Sequence, residues 1–291
     1  MDGLVGGDFV LGEMMHRRGV AALLFHHVGS PLPGTHPSLT VEPKCFERFI
    51  RLLQRLGYTG ISAAAWHAGR DGRASLPGRF ILLTFDDGYA DLGDFALPIL
   101  HRLGWGSTVF VATSTVGGRS AWDEPEAVAH RIMSADDIRA WAARGVEFGA
   151  HGATHCDLTR VDSKRLWQEV VGGRDALAEL LGGAVTAFAY PYGSYDDDVR
   201  ELVASSFDLA FGLDEGLNDG ATDRTRLRRT MVQHSDTTMD LALRARLGWS
   251  PLERVRGRAR VRDRAWRLND LATRRAARRT PSRSAPPFRR R

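Results

Sequence analysis

Apolar residues cluster in short unbroken runs separated by longer stretches of helical spacing. Val20–Phe25, Phe80–Phe85 and Ser107–Ala112 are continuous apolar or β-branched runs, as expected of strands covered on both faces, and 146–150, 185–190 and Phe207–Gly212 are further predicted strands. Shorter strands are predicted near Gly60–Ser62 and Arg229–His234. Between them, Phe46, Ile50, Leu53 and Leu56 recur at helical spacing from Pro43 to Tyr58, closed by Gly57. Further helices are predicted over Asp91–Leu103, Ser134–Arg144 with Ser134 as N-cap, 162–181 and 196–205, with a last amphipathic one over Asp240–Leu247. Strand and helix alternate about seven times. That order predicts an α/β fold: a distorted (β/α) barrel with about seven parallel strands over residues 20–250. An open doubly wound sheet would spread its strand ends along a line, whereas the candidate chemical residues gather at four or five of them.

Two segments flank this body. Residues 1–19 form an N-terminal extension, and 251–291 form an Arg-rich tail, helix-permissive over Val255–Arg279 and Pro/Ser/Arg-rich from Thr280. The 291-residue chain carries a net +5, but 15 Arg against Glu253, Asp263 and Asp270 fall after Ser250, so the body before it is net negative. The tail suits solvent, or an anionic membrane surface with Trp249, Trp266 and Phe288 at the interface. Nucleic acid is the weakest partner, because no recognition element accompanies the charge. The first residues lack a basic segment leading into an apolar one, which predicts a cytoplasmic protein, peripheral at the inner membrane face if the tail binds there. Cys45 and Cys156 are too few for a disulfide framework, and Cys156 reads as a buried free thiol rather than a ligand.

The chemistry sits at strand ends. Thr84-Phe85-Asp86-Asp87-Gly88 closes one strand and His151-Gly152-Ala153-Thr154-His155 follows another. One carboxylate and two imidazoles make a three-ligand catalytic metal set, with zinc as the chemical default. The second carboxylate is a spare base, as metal-assisted hydrolysis requires. Adjacent strand residues point to opposite faces, so both carboxylates reach one pocket only if Gly88 turns the chain. Each string alone also reads blandly, as a solvated Asp-Asp-Gly turn and a pair of surface histidines. Tyr190-Pro191-Tyr192-Gly193 marks a third strand end, and His26-His27 a fourth.

Taken together, 84–88, 151–155 and 190–193 resemble the polysaccharide deacetylases, carbohydrate esterase family four with the NodB-homology barrel, over roughly residues 20–250. The resemblance implies a divalent metal held by Asp87, His151 and His155, with Asp86 as general base and the Tyr192 backbone N–H as oxyanion donor. It implies hydrolysis of a non-peptide C–N bond, with acetyl removed from an N-acetylated sugar. The chain departs from the commonest pattern at Ala189, where many members have Arg. For the general acid the resemblance leaves two histidines: His26, as in the branch with this residue on the first strand, and His234. His27 would then point away or join the rim. Arg229 resembles a strand-borne Arg that orients the base, or else is a surface cation. Trp122, Asp123, Tyr190 and Tyr192 are placed to stack on a sugar or simply to pack. A cytoplasmic enzyme would meet a glycan or glycolipid precursor rather than finished polymer. The competing functions are a hydrolase of cyclic or linear amides on the same barrel and a non-catalytic glycan- or membrane-binding protein.

Overall fold

The computed structural model describes residues 19–30, 39–120, 122 and 130–255. Most of the N-terminal extension, Asp123 and the tail from 256 onward lie outside the described residues. The strands are β1 (Ala22–Phe25), β2 (His27–Val28), β3 (Thr40–Val41), β4 (Thr59–Ile61), β5 (Phe80–Phe85), β6 (Thr108–Val111), β7 (Glu147–Ala150), β8 (Ala187–Ala189), β9 (Leu209–Phe211) and β10 (Thr230–Met231). The main sheet runs β10-β1-β5-β6-β7-β8-β9, with β4 also on β5 and β2–β3 as a separate pair. Every ladder is parallel. β4 covers the first half of β5, from Thr59 opposite Phe80, and β6 continues from Thr108 opposite Thr84. A single parallel bridge, Phe211 to Leu227, joins β9 to the segment entering β10. The sheet therefore curls into a distorted barrel with seven strands on its main path, as the sequence pattern predicts.

The unbroken apolar runs have a direct cause. Leu23, Phe25, Ile81, Leu83, Phe85, Val109, Val111 and Phe188 belong to one buried cluster, which the helices complete with residues such as Phe46, Ile50, Leu100, Ile138, Leu177 and Val203. Their neighbours Ala22, Leu82, Phe110, Ala187, Ala189, Leu209 and Phe211 form a second cluster, inside the barrel. Alternate residues thus serve different cores, which keeps most strand positions apolar; polar exceptions such as Thr84, Thr108 and Glu147 are hydrogen-bonded. Phe25 shows the packing: its ring lies 5.2 Å from Phe46 and 5.5 Å from Phe85.

Helices α1 (Pro43–Arg55), α2 (Ala63–Arg70), α3 (Leu97–Arg102), α4 (Ala135–Ala142), α5 (Ser163–Trp167), α6 (Gly173–Leu181), α7 (Asp197–Ser206) and α8 (Thr238–Leu247) connect and cover the strands. Ser134 caps α4 in a reciprocal box with Asp137, as the Ser-Ala-Asp-Asp start predicts. Two expected helices are interrupted. A π-helical turn at Leu92–Ala96 precedes α3, and another at Gln168–Gly172 separates α5 from α6. Helix α2 goes unpredicted because Ala63-Ala64-Ala65 offers no contrast between faces; only Ala63, Trp66 and His67 are buried. Among the described residues no helix is long and apolar enough to cross a membrane. The compact unit carrying the sheet ends at Pro251.

Candidate active site

Inner-face parity carries the polar residues to one place. Residues 82, 84 and 86 share one side of β5, so Asp86 extends the inward row of Leu82; its N–H still donates to the Phe25 carbonyl at 3.0 Å, as in a strand. His151 likewise keeps strand geometry through its N–H to Val111 O at 3.0 Å. Asp87 should then point outward. It does not, because Asp87 itself adopts φ 73° and Gly88 follows at 71°. The turn begins one residue before the expected glycine. Among the described residues, the non-glycine positions with positive φ are Asp87, His155 and Tyr192. Left-handed backbone costs of order 1–3 kcal/mol for such residues and persists where the surroundings over-determine it. All three belong to the sequence-predicted site.

Asp87, His151 and His155 are buried and offer one ligand atom each, all within 4.8 Å of one another. Asp87 Oδ1 lies 3.2 Å from His155 Nε2 and 3.4 Å from His151 Nε2. Donors around a tetrahedral zinc with bonds near 2 Å are separated by roughly 3.3 Å. His151 Nδ1 is 2.7 Å from the Ala189 carbonyl, which places its proton on Nδ1 and turns the Nε2 lone pair toward Asp87. Three buried donor atoms of the right type converge at this spacing, so the set suits the metal that the sequence implies. In the metal-free chain, burial alone would raise the Asp87 carboxyl, but His155 and His151 hold it well below the usual carboxylate range. His151 moves oppositely: burial lowers it, and Asp86 and Asp87 more than offset that.

Asp86 is a different kind of carboxylate. Arg229 Nη1 donates to Oδ1 at 2.6 Å and Nη2 to Oδ2 at 2.8 Å, a bidentate fork that fixes the plane of the group. Arg229 Nε donates to Gly212 O at 3.0 Å, and the guanidinium lies 5.6 and 5.8 Å from the Phe110 and Phe211 rings of the inner core. Only 1 % exposed, Arg229 is no surface cation. Burial pushes Asp86 up, yet Arg229 and then His151 bring it below its ordinary value. His151 Nε2 is 3.9 Å from Asp86 Oδ2, so Asp86 borders the Asp-His-His cluster without joining it.

Between the two candidate acids, the structure brings His26 to the carboxylates. It acts electrostatically on both Asp86 and Asp87, and its Nδ1 is buried without a hydrogen-bond partner. Burial lowers its pKa, while Asp87 and Asp86 pull the other way. His234 is exposed and makes no contact with either carboxylate among the described residues. His27 is not a rim residue: it is 2 % exposed, stacks 3.5 Å from Tyr89 and lies 2.9 Å from Asp91 Oδ2. The strand alternation that turns His26 inward turns His27 into the packing between sheet and loop.

The remaining aromatics divide. Trp122 lies 4.3 Å from the His155 ring, tilted by 31°, and Tyr192 lies 4.6 Å from it on edge. Tyr190 is a packing residue, 1 % exposed, whose hydroxyl donates to Thr225 O at 3.0 Å. The Cys156 thiol is pushed up to about 11 by burial and by Glu169. It stays protonated at neutral pH and stands outside the ligand set. The sequence pattern misses Glu169, a buried acid beneath the His151–His155 loop; a charged residue within a predicted helix reads as a solvent-facing one.

Fold and site together define a parallel α/β half-barrel whose C-terminal strand ends gather an Asp pair and a His-x-x-x-His loop. The sequence profile of the polysaccharide deacetylases matches residues 73–209, a little under half of the chain and the part that carries the Asp pair and the His-x-x-x-His loop. It is 24 % identical over 178 residues, 60 % of its length, to YxkH of Bacillus subtilis, which bears the name of a polysaccharide deacetylase. It is 31 % identical over 126 residues, 43 % of its length, to a chitin deacetylase of Arthroderma benhamiae. The chain spans 57 % and 30 % of those relatives respectively. Among solved structures, the Streptococcus pyogenes deacetylase PplD, in complex with acetate, superposes with TM-score 0.67 at 21 % identity, covering 78 % of this chain and 97 % of that one. IcaB from Ammonifex degensii gives 0.64 at 25 %, covering 79 % and 97 %.

Proposed function

We propose that this protein is a metal-dependent hydrolase that removes the acetyl group from an N-acetylated sugar, acting on a glycan or glycolipid precursor. One observation carries the reading: a buried carboxylate held ionised by a bidentate Arg sits beside a separate, convergent Asp-His-His set. The match to the polysaccharide deacetylase profile and relatives named as polysaccharide and chitin deacetylases support the substrate class. Asp87, His151 and His155 would hold the metal, zinc by ligand type, which when bound polarises the acetyl carbonyl and acidifies water. Asp86 accepts the proton from the attacking water, and Arg229 keeps it ionised and aimed. The Tyr192 N–H serves the developing oxyanion. His26, depressed by burial and therefore a stronger acid once protonated, delivers a proton to the departing amine.

Purified full-length chain should release acetate from a panel of N-acetylated sugars, lose that activity to a chelator and regain it with Zn2+ or another first-row ion. Turnover that survives complete metal removal would defeat the reading; turnover of cyclic amides alone would move the substrate class. His26→Gln is expected to lower kcat about 10²-fold, whereas His234→Gln should stay within about twofold. The reverse order would transfer the acid role to His234.

A place at the inner face of the membrane is part of the same proposal, supported by the 15 Arg after Ser250. Each basic residue near an anionic surface contributes about 1 kcal/mol. Deleting 256–291 should abolish co-sedimentation with anionic vesicles at low salt. Unchanged sedimentation would leave the tail without that role.

A further inference from the structure

Glu169 is completely buried in the π-helical turn Gln168–Gly172 between α5 and α6. A buried carboxylate needs a full set of donors, and nearly all of these come from the loop between two ligands. Oε2 accepts the N–H groups of Ala153 at 2.9 Å and Thr154 at 2.8 Å. Oε1 accepts the Thr154 hydroxyl at 2.7 Å and pairs with Arg165 at 2.6 Å. Arg165 also donates to Thr154 Oγ1 at 3.1 Å, so the loop, the acid and the cation form one closed set.

The backbone is as tightly engaged as the side chain. A Cβ at Gly173 would lie 3.0 Å from Ala153 N and 3.1 Å from Gly152 C, so the first turn of α6 rests directly on the loop. The extra residue of a π turn shifts the phase of the helix beyond it. Glu169 can therefore face the loop while Leu166, Val170 and Leu177 still reach the core. The loop in turn must hold His155 at φ 59°, a conformation it would not keep unaided.

We propose that Glu169 is a positioning residue that presets the separation of His151 and His155 before any metal arrives. The proposal rests on Asp87, His151 and His155 being the metal ligands. The loop amides have no strand or helix to satisfy them; Glu169 gathers them and thereby sets where the second imidazole begins.

The test uses the full chain stripped of metal. Zn2+ affinity is read by competition with a chromophoric chelator, ligand geometry from the visible bands of Co2+, and loop order from hydrogen exchange of the Ala153 and Thr154 amides without metal. Glu169→Ala is expected to weaken Zn2+ binding about 10- to 100-fold, alter the Co2+ bands and remove protection from both amides. Glu169→Gln, whose amide oxygen can still accept both N–H groups, should recover most of the affinity. If the Ala variant does not fold, Thr154→Val removes one donor and should still weaken Zn2+ binding several-fold. Parental affinity and Co2+ bands in Glu169→Ala, or in Thr154→Val where only that variant folds, would overturn the assignment. Equal losses in the Ala and Gln variants would do the same. A parent chain that binds neither ion would overturn the metal site itself, and the amide protection in the metal-free variants would then decide Glu169 separately.

Discussion

Asp86→Asn is expected to lower kcat for acetate release by about 10³-fold while leaving Zn2+ stoichiometry unchanged. Asp87, His151 and His155 are the candidate ligands, and Asp86 Oδ2 stands 3.9 Å from His151 Nε2. Asn has the shape of Asp and keeps one acceptor for the Arg229 fork, but it cannot take a proton from water. The loss should therefore appear in kcat rather than KM. Acetate release and metal content measured on the same preparation separate this from loss of metal. Turnover within a few-fold of the parent would remove Asp86 from the mechanism. Turnover and metal lost together would instead make it a ligand.

Arg229→Met should be the most destabilising single change at the site. Both partners of the Arg229–Asp86 pair are nearly solvent-free, with 0 % and 4 % of their side chains exposed. Removing one partner of such a pair costs about 3–5 kcal/mol, because the other charge stays buried without compensation. The pH dependence has a definite sign. In the parent, Asp86 lies below its ordinary value, so its ionisation contributes stability above the unfolded carboxylate value, lost as pH falls through the folded one. In the variant, burial acts without its main counterweight and the Asp86 pKa rises. Stability then falls as pH rises from the unfolded value through the raised folded one, and the acid limb of the kcat profile moves to higher pH. Urea unfolding across a pH series, with a pH–rate profile, checks both. An unmoved acid limb would show that Arg229 does not set the ionisation of the base.

Most elements of the barrel are legible in the sequence because strands buried on both faces leave a local mark, an apolar run with no polar gap. The candidate metal ligands are legible too, since both motifs are short and sit at the ends of such runs. The pairing of Asp86 with Arg229 is not, for the partners are 143 residues apart and Arg229 reads equally well as a surface cation. Glu169 is hidden by the same ambiguity, compounded by a π turn that shifts the helical phase. Of the two places the sequence leaves for His27, away from the pocket or on its rim, the structure takes the first, because strand alternation turns adjacent residues to opposite faces.

The amino-acid sequence by itself determined the alternation of strand and helix and a candidate donor set of His151, His155 and one carboxylate of the Asp86-Asp87 pair, with the other carboxylate beside it. These depend on residue type and near neighbours, where periodicity and ligand chemistry act over a few positions. Only the tertiary structure decided that Asp86 is buried and held ionised, that His26 rather than His234 meets the carboxylates, and that Asp87 turns into the pocket on a left-handed backbone. Those outcomes depend on desolvation and on charges brought together from distant strands. Both are properties of the folded sheet, and no stretch of chain carries them alone.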